Sequence, residues 1–145
     1  MGELLTQYGE EYGLTTNVDG VTLNVGLYND STDAISDSDD VAAITTEPGN
    51  ANYARQSDTF SVSNPAGSDV EANNDTQISF DFSDQSSSET VDSYFVEVSF
   101  ISAIVDGEGS ASTHLLFTGA LSQNRDIGSI DTLNVSAGGV GFSLE

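Results

Sequence analysis

Few side-chain types in this chain could do acid–base or nucleophilic work. His114 is the only histidine and there is no cysteine. Disulfides, thiol nucleophiles and the common zinc sites are therefore excluded. A serine triad needs its base within reach of the nucleophile. No serine here sits in a G-x-S-x-G elbow, and His114, flanked by Leu115 and Leu116, reads as an ordinary polar strand residue. Carboxylates are the opposite case. Among 24 acidic residues some pair always meets the separation that glycoside hydrolysis needs, so such a pair carries no information. Tryptophan, a frequent sugar platform, is absent. No enzymatic activity is expected.

The polar segment 29–40 holds Asp30, Asp33, Asp37, Asp39 and Asp40. It does not follow the EF-hand loop pattern. A solvated loop is the favoured reading, with a structural cation on Asp30, Asp33, Asp37 and Asp39 as the weaker alternative. No cofactor is expected. Gly138, Gly139 and Gly141 precede no helix that could complete a phosphate site, and fit a tight turn followed by a closely approached strand. Asn29, Asn74 and Asn134 begin Asn-x-Ser/Thr triplets, which leaves surface glycosylation open at Asn29 or Asn74.

The charge is more telling. The two cations are Arg55 and Arg125, lysine is absent, and the net charge is −22 on 145 residues. Self-repulsion on that scale loosens a compact state. In molar salt the screening length falls to about 3 Å and most of it disappears. An acid-rich, lysine-free chain resembles the proteins of salt-in halophiles. Two arginines cannot build a basic patch, so nucleic acid and anionic membranes are not expected partners. No apolar run approaches a membrane span, and the N-terminus lacks the basic and apolar regions of a signal peptide. The expectation is a soluble protein.

Length predicts one domain, 1–145, with a helix over 1–13 and a sandwich over 20–145. Leu4, Leu5, Tyr8 and Tyr12 share one helical face, and Gly13 is the predicted stop. Thereafter the period is two. Val21–Leu27, Tyr53–Val62, Ile78–Phe82, Tyr94–Val105, Thr113–Leu121, Leu133–Val135 and Val140–Leu144 read as strands, with a shorter strand-like piece at Val41–Thr46. Tyr94–Val105 is apolar on both faces and predicts a central strand. Turns are predicted at Asn64–Gly67, Asp106–Gly109 and near Asn124, with a solvated loop over 83–93. The pattern predicts an all-β, antiparallel β-sandwich of jelly-roll type with a short N-terminal helix.

The order of several short motifs resembles a family of small structural proteins of tailed viruses. These are Tyr53-Ala54-Arg55-Gln56; Asn73-Asn74 before Ile78-Ser79-Phe80; Leu115-Leu116-Phe117-Thr118-Gly119-Ala120-Leu121; Asp131-Thr132-Leu133; and the closing Gly139-Val140-Gly141-Phe142-Ser143-Leu144. The succession extends from Val21 to the end of the chain. It departs from the family at Ile130, where glycine is usual, and in its longer acidic loops.

The resemblance implies a virion component, and the acid excess adds a halophilic archaeal host. The expected function is capsid decoration or turret formation. A tail or baseplate subunit is the first alternative, and a carbohydrate-binding or adhesion module using Tyr28, Tyr53 or Tyr94 the second. Expected partners are the major capsid protein or neighbouring virion subunits, within a homo-oligomer (trimer, pentamer or hexamer). Leu4, Leu5, Tyr8, Tyr12 and Arg55 are the candidate subunit contacts. An intrachain salt bridge is the slightly favoured role for Arg55, and Arg125 is expected to be exposed.

Overall fold

The computed structural model describes residues 6–64, 69–101 and 109–144. In chain order the elements are helix α1 (Gln7–Asn17), β1 (Val21–Tyr28), a single helical turn α2 (Asp30–Asp33), a 3-10 turn (Val41–Ala43), β2 (Gln56–Ser63), β3 (Glu71–Asn74), β4 (Ile78–Asp81), β5 (Thr90–Phe100), β6 (Ser112–Asp126), a second 3-10 turn (Ile127–Ser129), β7 (Thr132–Val135) and β8 (Gly141–Ser143). Every sheet pairing described below is antiparallel, and among the described residues α1 is the one helix longer than a single turn. The chain is all-β, consistent with the predicted sandwich.

Packing divides the chain into two compact units. The first comprises Met1–Leu23, Ser57–Ile78 and Asn134–Glu145; the second comprises Asn24–Gln56 and Ser79–Leu133.

In the first unit the strand order is β1–β2–β3–β8, with β1 represented by its opening residues. The helix differs from expectation. Thr6 caps it, its hydroxyl accepting from the Gly9 N–H at 3.2 Å, and the helix runs through Gly13 to Asn17. A mid-helix glycine costs about 1 kcal/mol. Burial of Leu14 and Val18, 3% and 5% exposed, outweighs that cost. Leu14 and the C-cap Val18 give the buried side its apolar contacts, with Glu10 buried beside them. Tyr8 and Tyr12 are 84% and 75% exposed, so they do not pack on the core, and the contact expected of them with a neighbouring subunit is left as an expectation. Leu4 and Leu5 lie outside the described residues, as do most of the turns predicted at 64–67 and 106–109.

Asn73-Asn74, a pair of turn composition, ends strand β3. Asn74 is 3% exposed. Its Nδ2 donates to the carbonyls of Thr76 (2.7 Å) and Ser136 (3.2 Å), and its Oδ1 accepts from the Val140 N–H at 2.9 Å. Asn74 is thus an internal staple and is not a surface glycosylation site. Gly138 takes the positive φ of the predicted turn. A side chain at Gly141 would meet the Ala72 carbonyl at 2.7 Å, the close backbone approach expected there.

In the second unit the order is β6–β5–β1, so β5 is central as predicted. It begins at Thr90, earlier than expected, and burial is continuous from Val91 to Glu97. Adjacent aromatic residues of β5 point to opposite faces, and each covers a cross-strand glycine. Phe95 pairs with Gly26 and Tyr94 with Gly119, and a Cβ on either glycine would overlap the ring.

β6 contains no turn at Asn124. It bulges instead: Ala120 pairs with Ser93 and Arg125 with Val91, so residues 121–124 lie opposite Asp92 alone. A second bulge, at Leu116, falls between the Val96–Phe117 and Glu97–Leu115 pairs. The segment 41–46 opens with a 3-10 turn, Val41–Ala43, and forms no strand; the Asp40 carboxylate caps the turn at the Val41 N–H, 2.7 Å away.

Gly26→Ala forces the Phe95 ring out of its seat. The expected loss is about 1–3 kcal/mol of unfolding free energy, the cost of overpacking a filled core. Gly119→Ala should act similarly through Tyr94. Urea denaturation of each variant against the parent checks both.

Candidate functional site

The chemistry-bearing residues of the second unit gather into a few hydrogen-bonded nodes. The most connected is Arg55, just before β2. Its Nε and Nη2 donate to the two oxygens of Glu47 at 2.8 and 2.7 Å, and Nη1 donates to Oε2 of Glu97. Glu97 lies on β5 and is 7% exposed; its Oε1 also accepts from Asn24 Nδ2 at 3.2 Å. The guanidinium stands 5.0 Å from the centroid of the Phe95 ring. The fork therefore ties the 47–55 segment to the central strand, the geometry for which arginine is suited and lysine is not. Hydrogen bonding to Glu47 raises the Arg55 pKa further, so the group is permanently charged.

Tyr53 completes this node. Its hydroxyl donates to Glu47 Oε1 at 3.0 Å and accepts from the Leu27 N–H at 2.9 Å. Its ring stacks on Phe80 and Phe82, with centroids 5.9 and 5.8 Å away. Burial drives its pKa upward. Burial likewise raises Tyr28, to about 12. Tyr28 and Tyr94 are 1% and 6% exposed. These three tyrosines were the aromatic donors available to a sugar-binding module; Tyr28 and Tyr94 are core residues, and Tyr53 is half-buried with its ring stacked on Phe80 and Phe82.

The second node is His114. Its Nδ1 lies 2.6 Å from Asp40 Oδ2 and its Nε2 lies 2.9 Å from Ser112 Oγ. His114 is 8% exposed, with the Phe100 ring edge-on at 5.1 Å. The order aspartate–histidine–serine is that of a proton relay. Asp40, however, is spread over other donors. Its Oδ1 accepts the N–H groups of Leu115 and Val41, each at 2.7 Å, and its side chain is 41% exposed. Burial acts to raise the Asp40 pKa, but the hydrogen bonds from His114, Leu115 and Val41 outweigh it and hold the carboxyl below its ordinary range. The arrangement fastens the loop before Val41 to β6. His114 is thus a buried, paired anchor rather than a plain strand polar residue.

The remaining acidic candidates do not converge. Asp30 Oδ1 accepts from the Tyr28 hydroxyl at 2.9 Å and the Ile35 N–H at 3.1 Å. Asp33 receives four donors, the N–H and hydroxyl groups of Thr45 and Thr46, at 2.6–3.1 Å. Asp39 accepts both the N–H and the hydroxyl of Ser36 at 2.8 Å. Asp37 is exposed. Among the described residues no group of three or more potential ligands could hold a metal ion. Asn29 caps α2, accepting from the Thr32 N–H at 3.1 Å, and its Nδ2 donates to the Thr90 carbonyl at 3.1 Å.

Sequence reasoning missed Asp92 and Glu97. Asp92, 8% exposed, accepts from the N–H groups of Asp30 and Ser31 at 2.7 and 3.1 Å and from the Ser31 hydroxyl at 2.6 Å. The usable signal was an acid set inside a continuous apolar run, Val91-Asp92 and Val96-Glu97-Val98. Asp92 fell within the stretch expected to be a solvated loop.

The acid response follows from these hydrogen bonds. In Asp33, Asp40 and Asp92 burial acts to raise the carboxyl pKa, but the hydrogen bonds outweigh it and hold each below the ordinary aspartate range. A depressed folded-state pKa gives stability that is full above the unfolded value and lost as pH falls through the folded one. Unfolding free energy should therefore hold near neutrality and drop below about pH 4. Asp92→Asn should cost about 1–3 kcal/mol and flatten that acid limb, measured by urea titrations between pH 7 and pH 3. Arg55→Met, which leaves Glu97 buried without its cation, should cost about 3 kcal/mol; Arg55→Met with Glu97→Gln should recover part of it. No family model, curated protein or solved structure matches this chain.

Proposed function

We propose that the chain is a structural subunit of a virus particle, a decoration or turret component on the capsid of a tailed virus with a halophilic archaeal host. The observation that carries this reading is the ordered succession of motifs from Tyr53-Ala54-Arg55-Gln56 to Gly139–Leu144, set on an antiparallel β fold with a short N-terminal helix. The net charge of −22 without lysine supports the salt-rich setting. Acidic loops fastened by their own carboxylates suit a subunit that must hold its shape on a particle surface. A tail or baseplate subunit shares all of these features and is the second reading. The carbohydrate-binding alternative is weaker, since Tyr28, Tyr53 and Tyr94 are engaged in the core.

Particles from cells that carry the gene should be banded in a high-salt density gradient and probed with an antibody to this chain. The expected result is a stoichiometric amount of the chain in the DNA-filled particle band, retained on heads after heads and tails are separated. Retention on tails would favour the second reading. Recovery only in the particle-free fractions would overturn the assignment.

A further inference from the structure

Arg125 stands apart in this molecule. It is exposed near the end of β6, and among the described residues the ion pairs are those of Arg55 with Glu47 and Glu97 and of His114 with Asp40. In a chain with 24 acids, one of its two arginines reaches no carboxylate among the described residues. Its strand is equally unusual. β6 is the outer strand of its sheet, and from Gly109 to Arg125 the sequence carries no acid at all. Two copies of a strongly anionic chain repel each other least along such an edge.

The same strand borders an anionic recess. The segment 35–39 stands beside residues 115–118 and leaves a cleft of about 210 Å³ lined by Ile35, Ser36, Asp37, Asp39, Leu115 and Thr118, among others. Ser36 holds the Asp39 carboxylate in place, while Asp37 is exposed beside it. The segment is fixed at both ends, by the left-handed conformation of Ala34 and by the Asp40 contacts to His114 and Leu115.

We propose that two copies of this chain associate about a two-fold axis along β6, with Arg125 of each copy seated against Asp37 and Asp39 of the other. The cation and its anionic complement belong to the same outer strand, at Arg125 and beside residues 115–118. A two-fold axis between them satisfies both contacts at once, as a self-complementary interface requires. The contact is made by side chains rather than by a continuous ladder. Asp40 already caps the Leu115 N–H, and the bulges at Leu116 and 121–124 interrupt the edge, a device that blocks open-ended strand addition. The inference rests on the structural-subunit reading for its biological role.

The test is light scattering of the purified full chain at about 1 M KCl, where general repulsion is screened but a contact pair in a cleft is screened much less. The parent should have the mass of two copies. Arg125→Asp and Asp37→Arg should each raise the dissociation constant by at least about tenfold, with circular dichroism unchanged because both side chains are exposed. An equimolar mixture of the two variants should associate again, since each contact then joins opposite charges. A monomeric parent, an Arg125→Asp variant that associates like the parent, or a mixture that stays monomeric would each overturn the proposal. If the chain is nevertheless found on particles, this contact fails while the subunit reading stands.

Discussion

In a lysine-free chain of net charge −22, most carboxylates have no cation to pair with. The structure gives many of them hydrogen-bond donors instead. Asp33 gathers the backbone and hydroxyl donors of Thr45 and Thr46, Asp92 those of Asp30 and Ser31, Asp39 those of Ser36, and Asp126 those of Ser88, Glu89 and Gly128. Each carboxylate satisfies loop donors that would otherwise need water or a secondary-structure partner, and in doing so fixes a loop. The acids that repel one another across the surface also stitch the loops down locally.

Arg55 is used where that device is insufficient. Glu97 is an inward-facing acid on the central strand, and its neighbour Asn24 supplies only a neutral donor. A buried carboxylate is costly unless it is paired, and Arg55 provides the charge while its remaining donors grip Glu47. Tyr53 then joins Glu47 to the β1 backbone and to the Phe80 and Phe82 rings. The polar node and the aromatic core are thereby one construction.

The parts of the fold readable in the sequence were those governed by hydrophobic period. Val21–Leu27 and Ile78–Phe82 alternate cleanly, and the two-faced apolar run from Tyr94 marked the central strand. Features that depended on side-chain acceptors were not readable. α1 starts at Thr6 because a hydroxyl caps it, and its packing face is set by Leu14 and Val18, beyond the glycine expected to end it. The start of β5 was hidden because Asp92 and Ser93 look solvated until the donors of Asp30 and Ser31 are brought to them. Asn73-Asn74 has turn composition, yet Asn74 is a buried staple whose partners, Ser136 and Val140, come from a distant part of the chain. The polar change near Asn124 was visible, but it marks a bulge rather than a turn. Arg55 was singled out by rarity alone; which carboxylates it meets depends on the register of β5.

Hydrogen-bonded carboxylates hold the loops locally, while unpaired surface charge opposes the fold globally. The most direct test is the urea unfolding free energy at pH 7 between about 0.1 and 3 M KCl, the range over which the screening length contracts from about 10 Å to below about 3 Å. A steep rise with salt is expected, with most of the gain complete by about 1 M, where the screening length has fallen to about 3 Å. An unfolding free energy independent of salt would show that the surface charge imposes no such load on the fold.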